Sequence, residues 1–137
     1  MLAAKRSQTL AIGIERSPIE LYTLISNPQN LPRWAAGLCK GVRKSAGGWI
    51  VETAAGDLGF KFAGRNDYGI LDHYLTTESG ETVYVPMRVM KNGRGSEVVL
   101  TIFRTGELDD SKFEEDCRMV EADLLSLKQL AESRTAG

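Results

Sequence analysis

SKFEEDCRMVEADLLSLKQLAE, residues Ser111 to Glu132, carries the pattern from which the rest of the architecture follows. Phe113, Cys117, Val120, Leu124, Leu127 and Ala131 recur at steps of four and three, which puts them on one stripe of an α-helix. Ser111 reads as the N-cap, and Glu114 completes a capping box. A helix of about 20 residues spans about 30 Å, enough to cross a small curved sheet from end to end. The chain before it is punctuated by Gly47-Gly48, Gly56, Gly69, Gly80 and Asn92-Gly93, at intervals close to those of an antiparallel meander. Strands followed by one long amphipathic helix predict an α+β fold in which a curved sheet grips that helix.

The opening segment adds two more helices. Gln8 to Glu15 alternates, with Leu10, Ile12 and Ile14 on one face, and reads as a first strand with one buried side. Ser17-Pro18-Ile19-Glu20 then starts a helix: serine caps it, proline loses nothing at the first helical position, and Glu20 reaches back to the cap. Leu21, Leu24 and Ile25 supply its buried stripe. Asn27-Pro28 ends it, and Leu31-Pro32-Arg33-Trp34 forms a second short turn of helix. With no internal repeat, low-complexity tract or linker, residues 1–137 read as one domain. Its core is expected over residues 7–132, with a tail, 133–137, that frays.

The balance of 17 basic against 18 acidic side chains argues against nucleic acid as a main partner, because phosphate binding favours a basic excess. Cys39 and Cys117 are too few and too far apart for a disulfide framework, and no spacing of Cys and His suggests a metal. They are expected as small buried hydrophobes in a reducing compartment. No segment approaches the roughly 20 apolar residues of a membrane span, and Thr9 to Ile14 is too short for a secretory signal. The expected location is the cytoplasm, with no metal and no cofactor.

Turn positions assign faces to the strands, because side chains alternate across a strand. With turns centred at Asp67-Tyr68, Ser79-Gly80 and Asn92-Gly93, Phe62 lies opposite His73, Leu75 opposite Tyr84, and Arg88 opposite Glu97. One face then collects Phe60, Phe62, Leu71, His73, Leu75, Tyr84, Pro86, Arg88, Glu97, Val99, Thr101 and Phe103. Lys61, Arg65 and Asp72 fall on the other and want water, so the first face is expected to point inward. A three-residue loop at any of these turns would invert everything beyond it. The expected outer face of the last hairpin is then apolar, with Val83, Val85, Met87, Val98, Leu100 and Ile102, and predicts a homodimer through that patch.

The order strand, Ser-Pro-x-Glu-Leu-Tyr-x-Leu-Ile-Ser-Asn-Pro, Leu-Pro-Arg-Trp34, meander and long final helix resembles the START-like superfamily, also called SRPBCC or Bet v 1-like. The likeness covers residues 7–132. Asn66-Asp67-Tyr68-Gly69-Ile70-Leu71-Asp72-His73, Pro86-Met87-Arg88-Val89 and Gly95-Ser96-Glu97-Val98 resemble members labelled polyketide cyclase/dehydrase or lipid-transport proteins. The resemblance implies a helix-grip fold whose final helix closes a cavity for apolar or aromatic ligands. It fixes fold better than function.

On this reading the inward side chains line a pocket for a lipid-like or polyketide-like small molecule. Trp34, Trp49, Phe60, Phe62, His73, Tyr84, Arg88, Glu97, Thr101 and Phe103 are its candidate lining. A cyclase or dehydratase would use His73 as acid/base and Arg88 to stabilise an oxyanion. A carrier would use His73, Arg88 and Tyr84 to orient its cargo. Against both stands a core histidine hydrogen-bonded to a neighbour, and an Arg88–Glu97 pair that neutralises two inward charges. Trp34 is either a gate at the cavity mouth or a loop anchor. Asp116 and Asp123 read as the solvated flank of the final helix. A third reading is a regulatory interaction domain that presents the apolar outer hairpin to a partner.

Overall fold

The computed structural model describes residues 4–105 and 109–133. Strand β1 (Ser7–Ile14) turns at Arg16 into helix α1 (Pro18–Ser26). The Ser17 hydroxyl accepts from Glu20 N at 3.3 Å, the serine half of the expected capping box, while the Glu20 carboxylate accepts from that hydroxyl at 3.0 Å. Leu21 and Ile25 are fully buried along its inner stripe. Asn27 ends α1 and caps a single 3₁₀ turn, Pro28–Asn30, which runs into the one-turn helix α2 (Leu31–Trp34).

The sheet follows as β2 (Gly41–Ser45), β3 (Gly48–Thr53), β4 (Gly56–Phe62), β5 (His73–Thr76), β6 (Thr82–Val85), β7 (Met87–Asn92) and β8 (Gly95–Phe103). Every pairing is antiparallel, in the orders β2-β3-β4-β5-β6 and β1-β8-β7. Pro86, which has no N–H to give a ladder, separates β6 from β7. The two pieces share one register with the chain before β5: His73 faces Val85, and Ile70 bridges Arg88. The two sets of strands therefore form one bent surface.

The last helix, α3 (Asp110–Glu132), starts one residue earlier than expected, and its cap is Asp109, whose carboxylate accepts from Lys112 N at 2.8 Å. Ser111 lies inside the first turn instead. Phe113, Cys117, Leu124, Leu127 and Ala131 are buried as the periodicity requires. The helix runs along β1. Arg6 sits over the Phe113 ring at one end, while Lys128 Nζ donates to Gly13 O at 3.0 Å and Glu132 accepts from Glu15 N at 2.8 Å at the other. Its other neighbour is α2. Of the expected frayed tail only Ser133 lies within the described residues.

The registers correct the expected faces beyond β5. Phe62 does lie opposite His73, and Phe60 opposite Leu75. At the next turn Gly80 N donates to Thr77 O at 2.9 Å and Thr77 N to Glu81 O at 2.8 Å, enclosing the three-residue loop Glu78-Ser79-Gly80. Gly80 takes the left-handed φ of 89° that ends such a loop. An odd loop flips the alternation, so Tyr84 faces Tyr74, and Val83 faces Leu75. The β7–β8 turn places Gly93-Arg94 between Asn92 and Gly95, a shift of two residues that preserves the faces but puts Val99, not Glu97, opposite Arg88.

Tyr84, Arg88, Glu97, Thr101 and Phe103 therefore share the outer face, while Val83, Val85, Met87, Val98, Leu100 and Ile102 point inward. Met87 and Val98 are fully buried, and Leu100 is 5% exposed. The apolar patch expected on the outside is core, and the homodimer inferred from it loses its basis. So does an interaction domain built on that hairpin.

Candidate functional site

The inner face is mostly apolar. From β1 come Leu10, Ile12 and Ile14; from β3 and β4, Trp49, Val51, Phe60 and Phe62; from β5 to β8, Leu75, Val85, Met87, Val89, Val98, Leu100 and Ile102. Helix α3 covers the β1 side and α2 lies beside it. Trp49, Phe62, Leu75, Val85 and Ile102 pack on the core yet keep part of their surface open, as do Val83 and, on α3, Val120. Half-covered apolar side chains thus follow the inner face from β3 to β8.

His73 is the polar side chain among the aromatic rings of this face, and Ser96, at the far end of β8, donates to Arg16 O at 2.7 Å. His73 is 8% exposed, stacked on Phe60 at 5.1 Å and edge-on to Phe62 at 5.5 Å. Its Nδ1 lies 3.0 Å from Leu71 O. A carbonyl only accepts, so Nδ1 carries the proton and Nε2 is left with a lone pair. That Nε2 has no hydrogen bond among the described residues. Burial pushes the imidazole below its ordinary pKa, against smaller opposing effects of the Leu71 carbonyl and Asp72. The ring is neutral at pH 7.

Arg88 is elsewhere. Its side chain is half-exposed on the outer face, with Nε 3.5 Å from Asp72 Oδ1. Asp72 also accepts from Met87 N at 2.9 Å and from the Tyr84 hydroxyl at 3.0 Å. Partial burial disfavours its charge, but the Met87 N–H, Tyr84 and Arg88 outweigh it and hold the carboxyl below the usual range. Glu97 faces Met90 and accepts from Asn92 Nδ2 at 3.0 Å, so the expected Arg88–Glu97 pair is replaced by Arg88–Asp72. Tyr84 stacks between Tyr74 at 5.3 Å and Phe103 at 6.2 Å, and the Thr101 hydroxyl meets that of Thr9 at 2.8 Å. None of these side chains shares a space with His73. An enzyme that uses His73 and Arg88 on one substrate is excluded by their opposite faces.

Trp34 is 5% exposed and anchors α2, its buried indole N–H without a hydrogen-bond partner among the described residues. Asp123, expected as solvated flank, is 8% exposed and accepts from Gly37 N at 3.1 Å, fastening the loop after α2 to α3. Burial pushes this carboxyl up, and the Gly37 N–H and Lys40 pull less strongly the other way. The loop comes so close that a Cβ on Gly37 would lie 2.7 Å from Met119 Cγ. An acid next to a helical stripe has no periodic signature, so this anchor left no signal in the sequence. Asp116 pairs with Lys112 at 3.4 Å. Cys39 and Cys117 are free and buried, and burial raises both thiol pKa values.

Two surface clefts open at the edges of the fold, away from His73. One, of about 510 Å³, is bounded by the Ile14–Ser17 turn and the β7–β8 turn. The other, of about 470 Å³, lies between α1, the 65–69 loop and β7. Neither is lined by Phe60, Phe62 or His73.

A curved antiparallel sheet whose inner face looks onto one long C-terminal helix defines a START-like, helix-grip fold. The solved structures agree. The chain is similar to Ara h 8.0201 (TM-score 0.69, 13% identity, 94% of this chain and 99% of that one). It is also similar to a START superfamily protein from Mycobacterium smegmatis (0.66, 13%, 94% and 99%). A third is the Aha1 dimer structure from Colwellia psychrerythraea (0.67, 18%, 93% and 96%). At these identities the likeness is one of fold. No protein-family model and no curated protein sequence matches the chain. Among the described residues no helix is long and apolar enough to cross a membrane.

Proposed function

We propose that the chain binds a hydrophobic or aromatic small molecule between the inner face of the sheet and α3. The observation that carries this reading is the row of half-covered inward side chains Trp49, Phe62, Leu75, Val83 and Val85, which a dry core would have closed. Aromatic and branched groups supply apolar contact, and the His73 Nε2 lone pair offers one acceptor for a ligand hydroxyl. A ligand with a single hydroxyl on an apolar ring or chain fits that complement. Tyr84 and Arg88, on the outer face, take no part. Because His73 is neutral and has no second polar group beside it on the inner face, binding without turnover is the reading favoured over cyclisation or dehydration.

The test is a titration with the neutral fluorophore N-phenyl-1-naphthylamine, together with native mass spectrometry of protein purified from its host. Saturable binding by the wild type, lost in Leu75→Trp with the circular dichroism unchanged, supports the site. Equal binding by both forms, or none by the wild type and no retained molecule, refutes it.

A further inference from the structure

The Asn66-Asp67-Tyr68-Gly69 segment has no part in the inner-face site, yet side-chain and backbone hydrogen bonds specify it closely. The Asn66 side chain uses its whole capacity: Nδ2 donates to Gly64 O and Ile70 O, and Oδ1 accepts from Tyr68 N and Ile70 N, all within 2.9–3.0 Å. Its backbone N–H donates to the Tyr22 hydroxyl of α1 at 3.1 Å. Gly69 takes φ 72° and lies so close to Val89 O that no Cβ would fit. Val89 N closes the attachment on Gly69 O at 2.9 Å. Between these two clamps Tyr68 is held 80% exposed.

Tyr68 is not alone there. Of six large apolar side chains that stand exposed among the described residues, three border the one cleft between α1, this loop and β7: Tyr68, Ile19 at 81% and Met90. A pre-ordered, exposed tyrosine loses little conformational entropy on contact, the property of an interface anchor. Ile19 and Tyr68 project from the rim, where a small ligand would leave them wet and a protein surface would cover both. The charges are also uneven. Arg65 and Lys91 border the cleft against the single carboxylate of Asp67, and neither cation has an ion pair among the described residues. This local excess sits on a chain whose net charge is −1. We propose that the Tyr68 cleft docks a segment of a partner protein that carries apolar side chains beside carboxylates, with Tyr68 and Ile19 gripping the former and Arg65 and Lys91 the latter.

The surface is independent of the inner-face site, so the two can fail separately. The experiment follows backbone amide shifts of the ¹⁵N-labelled full chain during titration with two synthetic hexapeptides, Glu-Leu-Glu-Glu-Leu-Glu and the same peptide with lysine at each glutamate. The expected result is saturable shifts at residues 66–69 and 89–91 with the acidic peptide only, weakened at least tenfold by Tyr68→Ala and by Arg65→Glu combined with Lys91→Glu. All three positions are exposed, and an unchanged far-ultraviolet circular dichroism spectrum and urea midpoint report that the variants are folded. No saturable shift at these residues, equal shifts with the lysine peptide, or an undiminished response in both variants overturns the proposal.

Discussion

The Asp72 carboxylate accepts from Met87 N at 2.9 Å, across the strand from Pro86, where proline has no N–H to continue the ladder. One side chain thus bridges the gap at which the sheet bends, and the same carboxylate gathers Tyr84 and Arg88. These partners hold its pKa below the ordinary value, so its contribution is present at neutral pH and is lost as pH falls through the folded value. Asp72→Ala should destabilise by about 1.5–3 kcal/mol at pH 7, the scale of a hydrogen bond to a charged group. In urea melts the difference from wild type should shrink toward pH 3. A pH-independent difference would show that the carboxylate's charge is irrelevant.

His73 responds in the other sense. Burial lowers its pKa, so the unfolded chain takes up a proton before the folded chain does. Stability from this group is complete above the ordinary histidine value of about 6.5 and is lost as pH falls below it. His73→Phe removes that loss. Calorimetric Tm of the variant relative to wild type should therefore rise steadily from pH 7.5 to pH 5, and a constant offset would argue against a buried neutral imidazole. Affinity for N-phenyl-1-naphthylamine should stay within about tenfold, or 1.4 kcal/mol.

Asp123 has a raised pKa, and its folded form keeps a proton that the unfolded chain has released. Its ionisation thus costs stability as pH rises from about 3.9, the ordinary aspartate value, through the folded one. Asp123→Asn retains an oxygen for Gly37 N–H and removes the charge. We expect a gain of about 1 kcal/mol at pH 7, an ordinary size for one substitution, vanishing near pH 3. A loss at pH 7 would mean that attraction to Lys40 outweighs burial.

Leu100 separates the observed sheet from its inverted alternative. It is buried opposite Leu10 and Met87. Leu100→Ala should cost about 2–5 kcal/mol, and Leu100→Glu should unfold the chain at room temperature. A folded Leu100→Glu that merely changes oligomeric state in light scattering would place this residue on the surface.

Local chemistry made most of the fold legible: Ser17-Pro18-x-Glu20 starts α1, Asn27-Pro28 ends it, and the stripe from Phe113 to Ala131 fixes α3. The Phe62–His73 register was legible from the turn centred at Asp67-Tyr68, and the structure has that pairing. The site failed at Glu78-Ser79-Gly80. Gly80 cannot tell a two-residue turn from a three-residue one, because a type I′ pair and a three-residue loop both end on a glycine at positive φ. The signal that decides it lay further on: Val83, Val85, Met87 and Val89 alternate with Thr82, Tyr84, Pro86 and Arg88, an apolar-in, polar-out pattern that outranks any pocket argument. Asp123 was illegible because its burial depends on Gly37, 86 positions away.

Whether an apolar ligand lies under α3 against the inner face, with His73 as its polar contact, is read directly by intermolecular NOEs from N-phenyl-1-naphthylamine to methyl-labelled protein. A ligand in that place gives NOEs to the methyls of Leu75, Val83, Val85 and Val120, with a shift of His73 Nε2 and none at Val99 on the outer face. NOEs confined to Ile19 and Met90 beside Tyr68, or to Val99, with the inner methyls silent, would contradict it.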